Sequence, residues 1–299
     1  MSAVATAAVG RNNGTMLAIG LTLLSYFLFS FHDAAIKWLT LGLTVWQILF
    51  VRSLVIVVCS VAIGRGPLLR RAWVSPIKRA MALRGCFILA AWLLYYNAAK
   101  HLQLAEIITI YFGTPVLMML MAGPLLGEKV TAWNWVAVIV GFAGVLVACD
   151  PFGGAVTWPM GMALLASIIW AFAFVLLRRI AKAESSLLQM LYSNGFFLLG
   201  TAVALPFVWV PPDLEQTLLM LGVGTLGALA QFSIFEAVRR APVSVLAAFE
   251  YTALIWAFVL GWVIWGDWPR DAVFWGALLI LASGLMVVLG ERRRARSLA

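Results

Sequence analysis

Apolar stretches bounded by charges, Gly or Pro recur along the chain near 15–39, 44–63, 79–99, 104–126, 131–148, 157–178, 187–208, 216–238, 243–265 and 272–290. A helix needs about 20 apolar residues to cross the hydrocarbon core of a bilayer. Backbone groups in lipid must also satisfy one another, inside a helix or a closed barrel. The pattern therefore predicts an all-α integral membrane protein of ten transmembrane helices with short connections. The first stretch follows a lone Arg11 and runs to the region of Trp38, too long for a signal-peptide core and without a small-residue cleavage site, so it is expected to stay as the first helix.

The polar residues between these stretches are distributed unevenly. Counting from a cytoplasmic N-terminus, the even-numbered connections hold Arg65, Arg70, Arg71, Lys78 and Arg79, then Lys129, then Arg178, Arg179 and Lys182, then Arg239 and Arg240, and the tail adds Arg292, Arg293, Arg294 and Arg296. The other side carries Lys37, Lys100 and Arg270 beside Asp150, Asp213, Glu215, Asp267 and Asp271. A one-sided Lys/Arg bias sets topology and puts both termini in the cytoplasm. Trp38, Trp46, Trp73, Trp133, Trp158, Trp209 and Trp268 fall near span ends, where an amphipathic ring anchors at headgroup level.

Composition agrees. Of 299 residues 64% are hydrophobic and 11% charged, far from a soluble domain. The net charge of +9 sits in short clusters rather than along one polar face, so it speaks for membrane orientation and against nucleic acid. Cys59, Cys86 and Cys149 all lie inside apolar runs without paired or metal-like spacing and read as small core residues.

A shift of 139 residues aligns Ala98 with Ala237, Gly127 with Gly266, Glu128 with Asp267, Trp135 with Phe274 and Leu146 with Leu285. Each half holds five helices, an odd number, so the second half enters the membrane upside down. The expected organisation is two inverted five-helix repeats, 1–150 and 151–299. Such halves can exchange two conformations of similar energy around a midplane site, the property a carrier needs.

Several segments then resemble the bacterial EamA type of the drug/metabolite transporter superfamily. Leu83-Arg84-Gly85, Asn97-Ala98-Ala99-Lys100-His101 and Leu104-Ala105-Glu106 are similar to its third helix and the turn into the fourth. Thr114-Pro115-Val116, Leu126-Gly127-Glu128-Lys129 and Gly141-Phe142-Ala143-Gly144-Val145-Leu146 resemble its signature, echoed by Ala237 to Ser244, Trp265-Gly266-Asp267 and Ala282-Ser283-Gly284-Leu285. The resemblance covers nearly the whole chain. It implies secondary transport of small organic metabolites, such as amino acids or related compounds, across the bacterial inner membrane by alternating access, with no cofactor. The segment from Phe31 to Trp38 resembles a branch that includes S-adenosylmethionine and riboflavin carriers, which makes uptake of either an alternative. Leu254 stands where the first repeat has Pro115, and Asp267 where the family has Glu.

Ionisable residues inside the spans are His32, Asp33, Arg52, Glu106, Glu236 and Glu250. A central charge costs about 2.5 to 3.5 kcal/mol on insertion scales, so such groups face a bundle interior or a watery cavity. Asp33 and Arg52 lie on consecutive helices expected to pack side by side, as a structural ion pair or as part of a substrate site. Glu250, beside Tyr251, falls opposite Tyr111 under the repeat shift, and with Asp33 is a candidate for proton coupling. Trp92, Tyr96, Tyr111 and Trp170 could stack on a planar or cationic substrate. Pro115 would free a carbonyl within the fourth helix, a gate or kink. Glu236 is expected to pair with Arg239 or Arg240 on one helix face, and Glu106 to lie at the interface.

No Gly-x-x-x-x-Gly-Lys-Ser/Thr occurs, so ATP is not the direct driver. The alternatives from another class are a membrane-embedded enzyme, to which His32 and His101, without metal spacing, give little support, and a non-transporting partner subunit, against which the inverted repeat argues. The expected partners are a small organic solute, protons and the lipid bilayer, with the protein a monomer or homodimer.

Overall fold

The computed structural model describes residues 2–111, 113–114, 117, 121, 125, 132–149, 157–180, 184–240, 249 and 252–297. Among these, ten helices and no strand occur: α1 (Ser2–Leu39), α2 (Val45–Val74), α3 (Lys78–Ala99), α4 (Leu104–Tyr111), α5 (Ala132–Cys149), α6 (Trp158–Ile180), α7 (Ser186–Val208), α8 (Leu214–Arg240), α9 (Thr252–Trp265) and α10 (Asp271–Ser297). Six described helices are long and apolar enough to cross a membrane: those containing Met16–Leu39, Val45–Val74, Lys78–Ala99, Trp158–Leu176, Ser186–Val208 and Leu214–Ala237.

The helices start where side chains can replace missing backbone acceptors. Thr44 accepts from the Gln47 N–H at the start of α2, and Ser185 accepts from the Leu188 N–H at the start of α7. Asp213 and Gln216 cap α8 reciprocally, the Gln216 N–H donating to Asp213 at 2.7 Å and the Asp213 N–H to Gln216 at 3.1 Å. Gly266, at φ +68°, ends α9 in the left-handed region that a Cβ would oppose.

The packing differs from the side-by-side arrangement of neighbours that short connections suggest. The extensive contacts run between halves: α1 along α8, α3 along α6, α2 along α7 and α5 along α10. The most extensive contacts between halves have counterparts. Pair α1–α8 mirrors α6–α3, α2–α8 mirrors α7–α3, and α1–α9 mirrors α6–α4, while α2–α7 and α5–α10 mirror themselves. The two halves of the chain thus pack against each other mainly through reciprocal helix pairs.

Small residues make these crossings close. Cβ atoms added to Gly144 and Gly276 would meet the other's carbonyl oxygen at 2.9 and 2.6 Å, so α5 and α10 touch through their backbones. On α8, a Cβ at Gly224 would lie 2.6 Å from Val55 of α2.

The structure departs from expectation at the end of the second helix and at two cysteines. The second helix continues past residue 63 to Val74 through a break at Arg65. Cys86 is exposed and Cys59 half-buried rather than both being core residues, because the outer face of a membrane helix is apolar as well.

Candidate functional site

The interior of the bundle holds a chain of polar groups contributed by four helices. His32 on α1 is fully buried, and its Nε2 accepts a hydrogen bond from Arg52 Nε of α2 at 2.8 Å. That bond requires an unprotonated Nε2, so in the neutral imidazole the proton sits on Nδ1. Nδ1 then donates to Asp33 Oδ1 at 2.9 Å. The Asp33–Arg52 pair expected from the sequence is therefore not made directly. His32 stands between the two, carrying the influence of the carboxylate to the guanidinium.

Arg52 is 1% exposed and lies with its Cζ 4.0 Å from the centroid of Trp92, within cation–π range. Its Nη1 donates to Asn194 Oδ1 of α7 at 3.1 Å, and Asn194 Nδ2 donates to Gln231 Oε1 of α8 at 2.9 Å. Among the described residues Nη2 has no hydrogen-bond partner. A Cβ at Gly227 would stand 3.2 Å from Arg52 Nε and 3.3 Å from the His32 ring, so this glycine lets α8 close over the pair.

Asp33 is the accessible end of the chain, with 21% of its side chain exposed. Its Oδ1 takes both the His32 bond and a 2.7 Å bond from the Tyr96 hydroxyl. Among the described residues nothing donates to Oδ2. Beside it, five rings form a closed circuit of contacts: Trp92–Tyr96 at 5.4 Å, Tyr96–Tyr95 at 5.1 Å, Tyr95–Tyr111 at 5.3 Å, Tyr111–Trp170 at 6.1 Å and Trp170–Trp92 at 6.4 Å. These separations are normal for edge-to-face and tilted aromatic pairs.

The structure thus brings Asp33, Arg52, Trp92, Tyr96, Tyr111 and Trp170 together. Pro115, Glu250 and Tyr251 lie outside the described residues. Sequence reasoning missed Asn194, Gln231 and Gly227, whose uncharged side chains raise no alarm in an apolar run. It also passed over Arg84, a buried cation inside the third span whose Nη1 donates to Ser193 Oγ at 3.2 Å.

A second set of charges closes one end of the bundle. Arg270 Nε pairs with Glu106 Oε1 at 2.8 Å, so Glu106 is buried and bound at the start of α4. Lys37 Nζ donates to the Leu102 carbonyl at 2.9 Å, lies 3.6 Å from Asp267 Oδ2 and stands over Trp265. At the other end Arg71 and Ser75 bind Glu184 at 2.9 and 2.8 Å, and Glu236 pairs with Arg240, as the helix spacing suggested.

A bundle of long apolar helices with buried charges beside a cluster of aromatic rings is the architecture of a multi-pass membrane protein. The chain belongs to the EamA-like transporter family, whose model matches residues 16–149 and again 157–289. It is 24% identical over 281 residues to the S-adenosylmethionine uptake transporter of Rickettsia bellii, covering 93% of this chain and 95% of that one. It is 25% identical over 283 residues to the pseudopaline exporter of Pseudomonas aeruginosa, covering 91% and 94%. The riboflavin transporter of Vibrio cholerae is 26% identical over 209 residues, 69% of this chain and 68% of that one. A solved crystal structure shares the fold with a TM-score of 0.66 at 19% identity, covering 95% of this chain and 99% of that one. The chain is therefore a member of a transporter family.

Proposed function

We propose that the solute carries a cationic group and that Asp33 is its counter-charge. The observation behind this reading is the division of labour within one carboxylate. Oδ1 is held by Tyr96 and His32, while among the described residues nothing donates to Oδ2, and the side chain is partly exposed. A solute ammonium or sulfonium would complete it, and the faces of Trp170 and Tyr111 would add cation–π attraction. Of the compounds named for the relatives, S-adenosylmethionine carries a sulfonium and fits this site. Riboflavin is planar and uncharged, and the aromatic wall alone favours it as the second reading.

In this mechanism the halves 1–150 and 151–299 rock about the central site in the bacterial inner membrane, both termini cytoplasmic. Arg52, locked between His32, Asn194 and Trp92, keeps its place through the cycle. Asp33 takes up a proton when the solute leaves, and Glu250 is a second acid for that exchange. Pro115 is the candidate gate or kink and Tyr251 a candidate substrate contact, both outside the described residues. The carrier works as a monomer or homodimer.

The test is counterflow in liposomes with radiolabelled S-adenosylmethionine, riboflavin, amino acids and a cationic dye. Saturable exchange of a cationic solute that falls at least about tenfold in Asp33→Asn, matching the loss of one charge-assisted contact, is the expected result. Exchange unchanged in a normally folded Asp33→Asn protein overturns the assignment of Asp33. Loss of riboflavin exchange alone would move the site toward the second reading.

A further inference from the structure

The sequence Gly64-Arg65-Gly66-Pro67 interrupts α2, with Arg65 at φ 51° and ψ −155°, a backbone region that residues with a Cβ disfavour. Beyond the break, residues 66–74 form a short segment bearing Arg70, Arg71 and Trp73. Its end is fastened to α7: the Tyr192 hydroxyl donates to the Ala72 carbonyl at 2.5 Å, and Arg71 and Ser75 both reach Glu184.

Between this segment, the start of α3 and the outer face of α7 lies a groove of about 540 Å³, within the size range of ligand sites. Trp73, Lys78, Arg79, Tyr192, Gly195 and Leu199 define it, and no acidic residue lines it. Lys78 and Arg79 are exposed at its mouth and make no ion pair among the described residues. The nearby acid, Glu184, is already bound by Arg71 and Ser75. Deeper in, a Cβ on Gly195 would meet nothing within 4 Å, so the apolar part is open space.

The groove faces sideways rather than toward the centre of the bundle. Leu199 is 66% and Phe207 86% exposed along the same helix, and Trp73 is 82% exposed at its mouth. Such a surface is covered by acyl chains, with tryptophan at headgroup level. A second cavity, lined by Gly66, Arg70, Arg71 and Val74, flanks the same segment, so the basic character extends across it. A soluble anion would satisfy the cations but not the apolar walls. A zwitterionic lipid would fill the walls but bring no net charge to the two cations, neither of which has an acidic partner among the described residues.

We propose that this groove holds one anionic phospholipid, its phosphate on Lys78 and Arg79 and its acyl chains along Gly195 and Leu199. Basic pockets between membrane helices are suited to such headgroups. The bound lipid clamps the end of α2 to α7, which is also where Tyr192 and Glu184 hold them. This inference stands apart from any choice of transported solute.

The full chain would be purified in mild detergent, titrated with phosphatidylglycerol or phosphatidylcholine, and observed by native mass spectrometry. Each cation near an anionic lipid is worth about a fivefold change in affinity, so Lys78→Gln/Arg79→Gln is expected to weaken phosphatidylglycerol binding by about twenty-fivefold. Gly195→Leu, which fills the apolar part and keeps the charges, is expected to exclude the lipid. Arg292→Gln/Arg293→Gln removes the same charge elsewhere and is expected to bind as the unaltered chain does. Equal retention of the two lipids, unchanged binding in the Lys78/Arg79 variant, or a second copy of the chain in place of lipid would each overturn the proposal. Retention by Gly195→Leu equal to that of the unaltered chain would overturn the placement of the acyl chains.

Discussion

Arg52 Nε donates to His32 Nε2 at 2.8 Å, and this bond determines which nitrogen of the imidazole is left to face Asp33. The guanidinium is buried and already has one nitrogen without a partner among the described residues. Removing His32 would strand a second N–H and break the link to Asp33. We expect His32→Ala to lower stability by about 3 kcal/mol, the cost of uncovering a buried charged donor, read as a fall in melting temperature in detergent. Stability unchanged to within a few tenths of a kcal/mol would mean that the imidazole does not support the arginine.

Glycines at the half-to-half crossings should respond unequally to a methyl group. Gly276→Ala drives a Cβ to 2.6 Å from the Gly144 carbonyl and 2.7 Å from Ala148, where backbone must move. At Gly161 the same substitution meets nothing within 4 Å. We expect Gly276→Ala to cost about 1 to 3 kcal/mol through overpacking, and Gly161→Ala to be neutral or slightly stabilising. Paired thermal denaturation of the two variants measures the difference, and equal melting temperatures would contradict the close α5–α10 contact.

Glu106→Gln leaves Arg270 without its counter-charge where α4 meets the approach to α10. Because Arg270 is 43% exposed, the loss of stability should be small, about 1 kcal/mol or less. The conformational effect should be larger than the energetic one, since this pair fastens the two halves at one end. Faster thiol labelling of a cysteine introduced at Leu102 in Glu106→Gln than in the otherwise unaltered chain is the expected outcome. Identical labelling rates would show that the pair does not hold that end closed.

Glu184 lies outside the membrane-spanning segments. Burial by itself raises the affinity of its carboxyl for protons, but the hydrogen bonds from Arg71 and Ser75 outweigh it and hold the group below the ordinary carboxylate range. A depressed folded value means that the contribution to stability is complete above the unfolded value and is lost as pH falls through the folded one. Melting temperatures of the unaltered chain and Glu184→Gln should therefore differ most at neutral pH and converge in acid. A gap that widened on acidification would reverse the assigned sign.

How far the chain could be read from its sequence depends on the size of each energetic signal. Spans such as 79–99 and 187–208 were legible because an apolar run of that length has one stable form in lipid, and α3 and α7 occupy nearly those residues. Asp33 and Arg52 stood out because a charge in a span must have a reason to be there. Trp92 and Tyr96, four residues apart, already shared one face of a helix. Tyr111 and Trp170 joined them only because α3 and α4 pack on α6.

What the sequence determined by itself was therefore the membrane setting, the helical class, the repeat and the short set of residues expensive enough to be functional. These follow from transfer energies and periodicity, which act residue by residue along the chain. Only the tertiary structure decided that His32 would separate Asp33 from Arg52, that Asn194 and Gln231 would extend the chain of hydrogen bonds, and that Gly227 would let α8 close over it. Those choices depend on helices from opposite halves crossing within a few ångströms, and a hydrogen-bond partner 142 residues away, as Asn194 is from Arg52, leaves no periodic trace in either segment.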